Sequence, residues 1–177
     1  MGMPENIAHM GGDAGSYMDF QLTREGSPPL DELIVKLMEN YDFFSDMDKK
    51  EIVCFLRLCG RRSIKPGQII FESGDVGNCF YIIIFGEVII RIGGKELARL
   101  EQGQCFGEMA VLDEAPRVAT AEASKNTLLF SVGREILADA LPSLDFKIAS
   151  HLARQLSQKL RESNRAANEI SSDAIIN

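Results

Sequence analysis

Tryptophan is missing from this sequence and histidine nearly so, with only His9 and His151. Two histidines that far apart cannot build the imidazole clusters of a metal-dependent barrel enzyme. Glu108 alone could act as a general base, but no second acid or nucleophile accompanies it, so no enzyme, metal or cofactor is expected. The four cysteines, Cys54, Cys59, Cys79 and Cys105, contain no Cys-x-x-Cys pair. They read as reduced apolar fillers, and a cytoplasmic location is the expectation. Basic residues are in deficit: 19 Lys and Arg against 26 Asp and Glu give a net charge of −7. That argues against nucleic acid and anionic membranes as partners. Long apolar runs are absent too. The densest, Cys79 to Phe85, is far short of the ~20 residues of a membrane span. The start, Met-Gly-Met-Pro-Glu-Asn, is no signal peptide, and Asn6 stands where a myristoylation motif needs Ser or Thr.

What remains is 177 residues with 45% hydrophobic content, enough for one well-cored domain. Residues 1–29 are poor in aliphatics and carry Gly11-Gly12 and Pro28-Pro29, the composition of a flexible leader. Leu30, Leu33, Ile34, Leu37 and Met38 have helical spacing, so a short helix is expected over 30–41. Ser45 or Asp46 would cap a second helix to about Cys59, stopped by Gly60. Six short apolar runs punctuated by glycine or turn residues follow: 68–71, 80–84, 88–92, 97–100, 118–123 and 127–132. Their spacing predicts a sandwich, barrel or jelly roll. A short helix over 134–141 would end at Pro142, and Ser143 would cap a long one to about Asn168. In that long helix Leu144, Ile148, Leu152, Leu156 and Leu160 recur every fourth residue. The stripe can pack on its own barrel, and any exposed part would be an intermolecular surface, such as a homodimer contact. The expected organisation is leader 1–29, domain 30–168 and frayed tail 169–177.

The most informative stretch is Gly103 to Ala121. Glu108 and Arg117 lie nine residues apart among small and apolar residues, on either side of a turn at Asp113-Glu114-Ala115-Pro116. Arginine is the permanent, fork-shaped cation that suits a phosphate, and a carboxylate can accept a hydrogen bond from a sugar hydroxyl. Gly107 permits close backbone approach, and Glu108 to Leu112 reads as one helical turn. Spacing alone leaves two readings equal: a ligand site, or a buried Glu108–Arg117 ion pair.

Phe106-Gly107-Glu108-Met109-Ala110-Val111-Leu112 followed by Pro116-Arg117-Val118-Ala119-Thr120 resembles the phosphate-binding cassette of cyclic nucleotide-binding domains. Gly74-Asp75 through Gly86 resembles that family's earlier β-roll segment, and the likeness spans roughly residues 30 to 165. It implies a mainly β fold with flanking helices: an eight-stranded antiparallel β-roll (a jelly roll), with N-terminal helices and a long C-terminal lid helix. It implies that Glu108 takes the ribose 2′-hydroxyl and Arg117 the cyclic phosphate. Gly107, Ala110 and Val118 would add backbone contacts, and Phe106, Met109, Pro116 and Ala119 complete the cassette. Members selective for cyclic GMP often have Ser or Thr after the arginine. Val118 at that position favours cyclic AMP, with cyclic GMP the alternative. Positions where relatives hold the base with polar groups fall near Lys159 and Leu160, so base contact would be apolar through Leu156 or Leu160, or by Arg161 stacking. No helix-turn-helix segment follows Asn177, so the expectation is a stand-alone sensor acting through an effector protein whose identity the sequence does not carry. A ligand-free interaction module of the same fold is the alternative.

Overall fold

A computed structural model describes residues 30–135 and 142–173. The expected leader and most of the helix expected over 134–141 lie outside them. Three helices come first: α1 (Leu30–Asn40), α2 (Asp42–Ser45) and α3 (Lys49–Leu58). Then follow β1 (Gly60–Ile64), β2 (Ile69–Phe71), β3 (Cys79–Phe85), β4 (Glu87–Ile92), β5 (Lys95–Glu101) and β6 (Cys105–Phe106). The turn α4 (Met109–Leu112), β7 (Thr120–Ala123), β8 (Thr127–Gly133) and the long α5 (Pro142–Asp173) complete the order. The strands form two four-stranded antiparallel sheets, ordered β1-β8-β3-β6 and β2-β7-β4-β5. This is the expected eight-stranded roll with flanking helices.

Each of the six apolar runs contains a strand. The two strands not anticipated are β1 and β6. β1 reads Gly-Arg-Arg-Ser-Ile and has almost no apolar signal; its pairing with β8 makes it a strand. α3 does end just before Gly60, but Gly60 is extended and opens the strand; it does not take the left-handed turn of a glycine cap. It faces Ser131, whose hydroxyl occupies the space a Cβ would need. α3 is capped by Asp48 and not by Ser45 or Asp46, because only Asp48 has a glutamate three residues on. Its carboxylate accepts from the Glu51 amide at 2.9 Å, and the Glu51 carboxylate accepts from the Asp48 amide at 2.8 Å. α5 opens at Pro142, a residue suited to a first turn. It continues to Asp173, so residues 169–173 are helical where the sequence suggested a frayed tail.

The core is double. Helical residues including Ile34, Leu37, Phe43, Phe44, Ile52, Phe55, Leu144, Ile148 and Leu152 pack on one face of the β1-β8-β3-β6 sheet, against Phe80, Ile82, Phe130 and Val132. The other face looks into the roll through Tyr81, Ile83, Leu129 and Phe106. β3 is thus covered on both sides, which is why Cys-Phe-Tyr-Ile-Ile-Ile-Phe is a continuous apolar run and not an alternation. β5, at the edge of the other sheet, buries only Leu100 fully. Phe44 has no exposed surface and stacks edge-on to Phe43 and Phe55. Phe44→Ala is expected to lower the unfolding free energy by about 3–5 kcal/mol in urea melts; a loss under about 1 kcal/mol would contradict this packing.

Along α5 the every-fourth stripe divides. Leu144, Ile148 and Leu152 are fully buried, Leu156 is half-buried and Leu160 is 62% exposed. No described helix is long and apolar enough to cross a membrane, and the four cysteines are free thiols.

Candidate functional site

Arg117 is fixed by its backbone before its side chain does anything. Its amide donates to Asp75 O at 2.8 Å, and Gly74 N donates to Arg117 O at 2.8 Å. Asp75 in turn closes its own loop by accepting from the Glu72 amide. This bracket turns the Arg117 side chain into the roll, where it is 6% exposed. Its Nη1 donates to Gly107 O and its Nη2 to Cys79 O, both at 2.6 Å. The guanidinium carbon lies 4.2 Å from the centre of the Phe71 ring. Phe71, Tyr81 and Phe106 form a near-parallel cluster with centroids 5.2–6.0 Å apart, so the cation rests on aromatic faces. Burial and the neighbouring Cys79 push the Tyr81 phenol up to about 12, so it stays neutral; Arg62 donates to its oxygen at 2.9 Å.

Two glycines make the room. A Cβ on Gly77 would sit 2.6 Å from the Arg117 guanidinium and 2.9 Å from Ala110 Cβ. Gly107, at φ +76°, places its carbonyl on Arg117, and a Cβ there would also meet Nη1 at 2.6 Å.

Glu108 does not pair with Arg117. Its carboxylate, 5% exposed, is held by Lys159 of α5 at 2.7 Å. Among the described residues no carboxylate lies within ion-pair distance of Arg117. The buried-pair reading is therefore corrected: each charge finds another partner, and the guanidinium is left with carbonyls, which carry no countercharge. The same Lys159 ammonium donates to Cys105 O at 2.8 Å, and Gln155 Oε1 accepts from Cys105 N at 3.0 Å. β6 is the edge of its sheet, so both backbone groups of Cys105 that point away from β3 are satisfied by side chains of α5. Burial pushes the Cys105 thiol far up, keeping it protonated.

The remaining expected residues divide by exposure. Phe106, Ala110 and Ala119 are buried; Met109, Pro116 and Val118 are exposed. Arg134 holds α4 by donating to Ala110 O at 3.1 Å and pairing with Glu114 at 3.1 Å. In α5, Leu160 and Arg161 face solvent and Leu156 is half-buried, and it is Lys159 that reaches the cassette. Sequence reasoning did not find Phe71, Gly77, Gln155 or Arg134 as parts of the site. The only local trace of the α5 contact is polar spacing: His151, Gln155 and Lys159 recur every fourth residue on one helical face.

Residues 61–143 match the family model for the cyclic nucleotide-binding domain. Over 132 residues the chain is 34% identical to the cyclic AMP receptor protein of Thermus thermophilus, covering 72% of this chain and 61% of that protein. The crystal structure of the Thermus thermophilus catabolite activator protein superposes with a TM-score of 0.63 at 34% identity, over 73% of this chain and 62% of that one. This chain carries a cyclic nucleotide-binding domain. A cGMP-dependent protein kinase of Toxoplasma gondii is 43% identical over 82 residues, 46% of this chain but 8% of the kinase. The chain thus spans about three fifths of the receptor protein and 8% of the kinase, and their names divide between cyclic AMP and cyclic GMP.

Away from the cassette of this cyclic nucleotide-binding domain, a cleft of about 420 Å³ is lined by Phe85, Glu87, Glu101 and Lys125 among others. Glu87 offers it no free oxygen. It accepts from Ser124 Oγ at 2.6 Å, Lys125 at 2.9 Å and Arg99 at 2.9 Å. These bonds, Ser124 foremost, hold its carboxyl down at about 2. A depressed carboxylate stabilises the fold above its unfolded value of 4.5 and loses that contribution as pH falls from there toward 2. Acid unfolding of Glu87→Gln should therefore show a flatter stability profile between pH 4.5 and 2 than the parent. Parallel profiles would contradict the assignment.

Proposed function

We propose that the chain is a soluble cyclic AMP sensor whose ligand seats its phosphate on Arg117 and its ribose 2′-hydroxyl on Glu108. The observation that carries this reading is a nine-tenths-buried guanidinium with no countercharge among the described residues, set between two glycines and an aromatic floor. A phosphodiester brings one negative charge, which matches that single uncompensated cation. Lys159 already holds one oxygen of Glu108, so a ligand hydroxyl competes with it there and binding is coupled to α5. A ligand that prefers the α5 position in which Glu108 is free shifts the helix toward that position. The solvent-facing end of α5 around Leu160 then presents the change to an effector or a second copy of the chain. Val118 supplies no hydroxyl for a guanine amino group, which favours cyclic AMP over cyclic GMP.

One observation favours the ligand-free interaction module. The cassette is satisfied by its own chain, Glu108 by Lys159 and Arg117 by two carbonyls. Thermal melts separate the readings. Cyclic AMP at about a hundred times its dissociation constant should stabilise the protein by roughly 2.7 kcal/mol, with cyclic GMP weaker at equal concentration. Unchanged melting with both nucleotides would establish the ligand-free module.

A further inference from the structure

The contact between α5 and the cassette contains a hydrogen-bond chain whose direction is set from one end. The Cys105 backbone N–H is an obligatory donor, so Gln155 must turn its carbonyl oxygen toward it; the bond is 3.0 Å. The Gln155 amide nitrogen then faces His151 Nε2, also at 3.0 Å. An amide nitrogen only donates, so Nε2 must accept, and the single ring proton of His151 sits on Nδ1. Every group in the chain has one permitted role.

We propose that His151 is a proton-sensitive catch on α5: a second ring proton turns Nε2 into a donor, which Gln155 can accept only by releasing the Cys105 amide. With Nε2 protonated, two donors face each other across 3.0 Å. Gln155 can relieve this by rotating its amide, but its nitrogen then faces the Cys105 N–H, again donor against donor. Either arrangement breaks one bond, and rotation moves the break to the strand that runs into Gly107 and Glu108. Of the two α5 side chains bonded to Cys105, Lys159 then remains. Calling α5 a lid rests on the proposed function; the catch itself does not.

The surroundings favour the neutral ring. His151 is 5% exposed and meets the Phe43 ring edge-on, with centroids 5.0 Å apart. Burial and then Arg154 on its own helix lower its pKa below 6.5, while Asp42 of α2 and Asp46 just after it oppose them. Asp46 is itself engaged by Arg154 at 3.0 Å. The ring is therefore neutral at pH 7, and the catch opens on acidification below the usual histidine midpoint.

The test uses the ligand-free full chain and amide NMR between pH 7.5 and 5. The Cys105 amide should shift with the same midpoint as the His151 ring signals. Its exchange, corrected for the intrinsic pH dependence, should rise roughly three- to tenfold across that midpoint, the worth of one net hydrogen bond. In Gln155→Leu the ring still titrates while the amide no longer follows it. In His151→Phe the amide is insensitive to pH. An amide that stays fixed while the wild-type ring titrates overturns the proposal, as does an amide that still follows the ring in Gln155→Leu. Because no nucleotide is added, failure of cyclic AMP to bind would leave this result unaffected.

Discussion

Arg117→Leu raises the dissociation constant for cyclic AMP by roughly 30- to 5,000-fold, the equivalent of about 2–5 kcal/mol for a desolvated charge pair that loses one partner. Calorimetric titration measures it directly. The size follows from burial: water does not screen a phosphate on a guanidinium that is 6% exposed. Arg117→Lys separates charge from shape. A lysine keeps the positive charge but cannot span Gly107 O and Cys79 O as the fork does, nor lie flat on Phe71. Its affinity should fall between the parent and the leucine variant. Because both carbonyls lose a donor in Arg117→Leu, folding is checked by circular dichroism, and Arg117→Lys is the milder control. Equal affinity in all three proteins would place the phosphate elsewhere.

Lys159→Met changes two quantities in opposite directions. Without the ammonium, Glu108 is a buried carboxylate with no opposite charge, and the ligand-free protein should lose roughly 2–3 kcal/mol of stability in urea melts. That is below the figure for fully buried pairs because the Lys159 side chain keeps 32% of its exposure. The same change removes the competitor for Glu108, so cyclic AMP should bind about tenfold tighter, a gain of about 1.4 kcal/mol. The 2′-deoxy analogue has no hydroxyl to offer and should bind parent and variant alike. Weaker binding of cyclic AMP by Lys159→Met would mean that the lysine holds the ligand and does not compete with it.

Legibility followed the range of the signal. Where one face or both faces of a strand are apolar, the run announces itself, as in β3, β4 and β8. β1 was invisible because its pairing partner, not its composition, makes Arg61, Arg62 and Ser63 extended. The α3 cap was legible in principle, since Asp48 and Glu51 are three residues apart, but Ser45 and Asp46, equally good capping types, stood just before it. Lys159 was the harder case. It lies 51 residues from Glu108, and nothing within either segment marks the other.

Glycine punctuation and β-branched runs were enough for a sandwich, barrel or jelly roll, because each is a local pattern of backbone demand and side-chain period; the eight-stranded roll, the cassette and the family came from the likeness of Phe106–Leu112 and Pro116–Thr120 to cyclic nucleotide-binding domains. Which charge meets which was settled only by the fold. Seen as sequence, Glu108 and Arg117 are an acid and a base nine residues apart. In the structure the loop around Gly74 and Asp75 draws Arg117 inward onto Phe71, and α5, docked through Leu144, Ile148 and Leu152, carries Lys159 to Glu108. Ion-pair choice depends on the relative placement of surfaces fixed by packing elsewhere, and residue spacing along the chain contains no record of it.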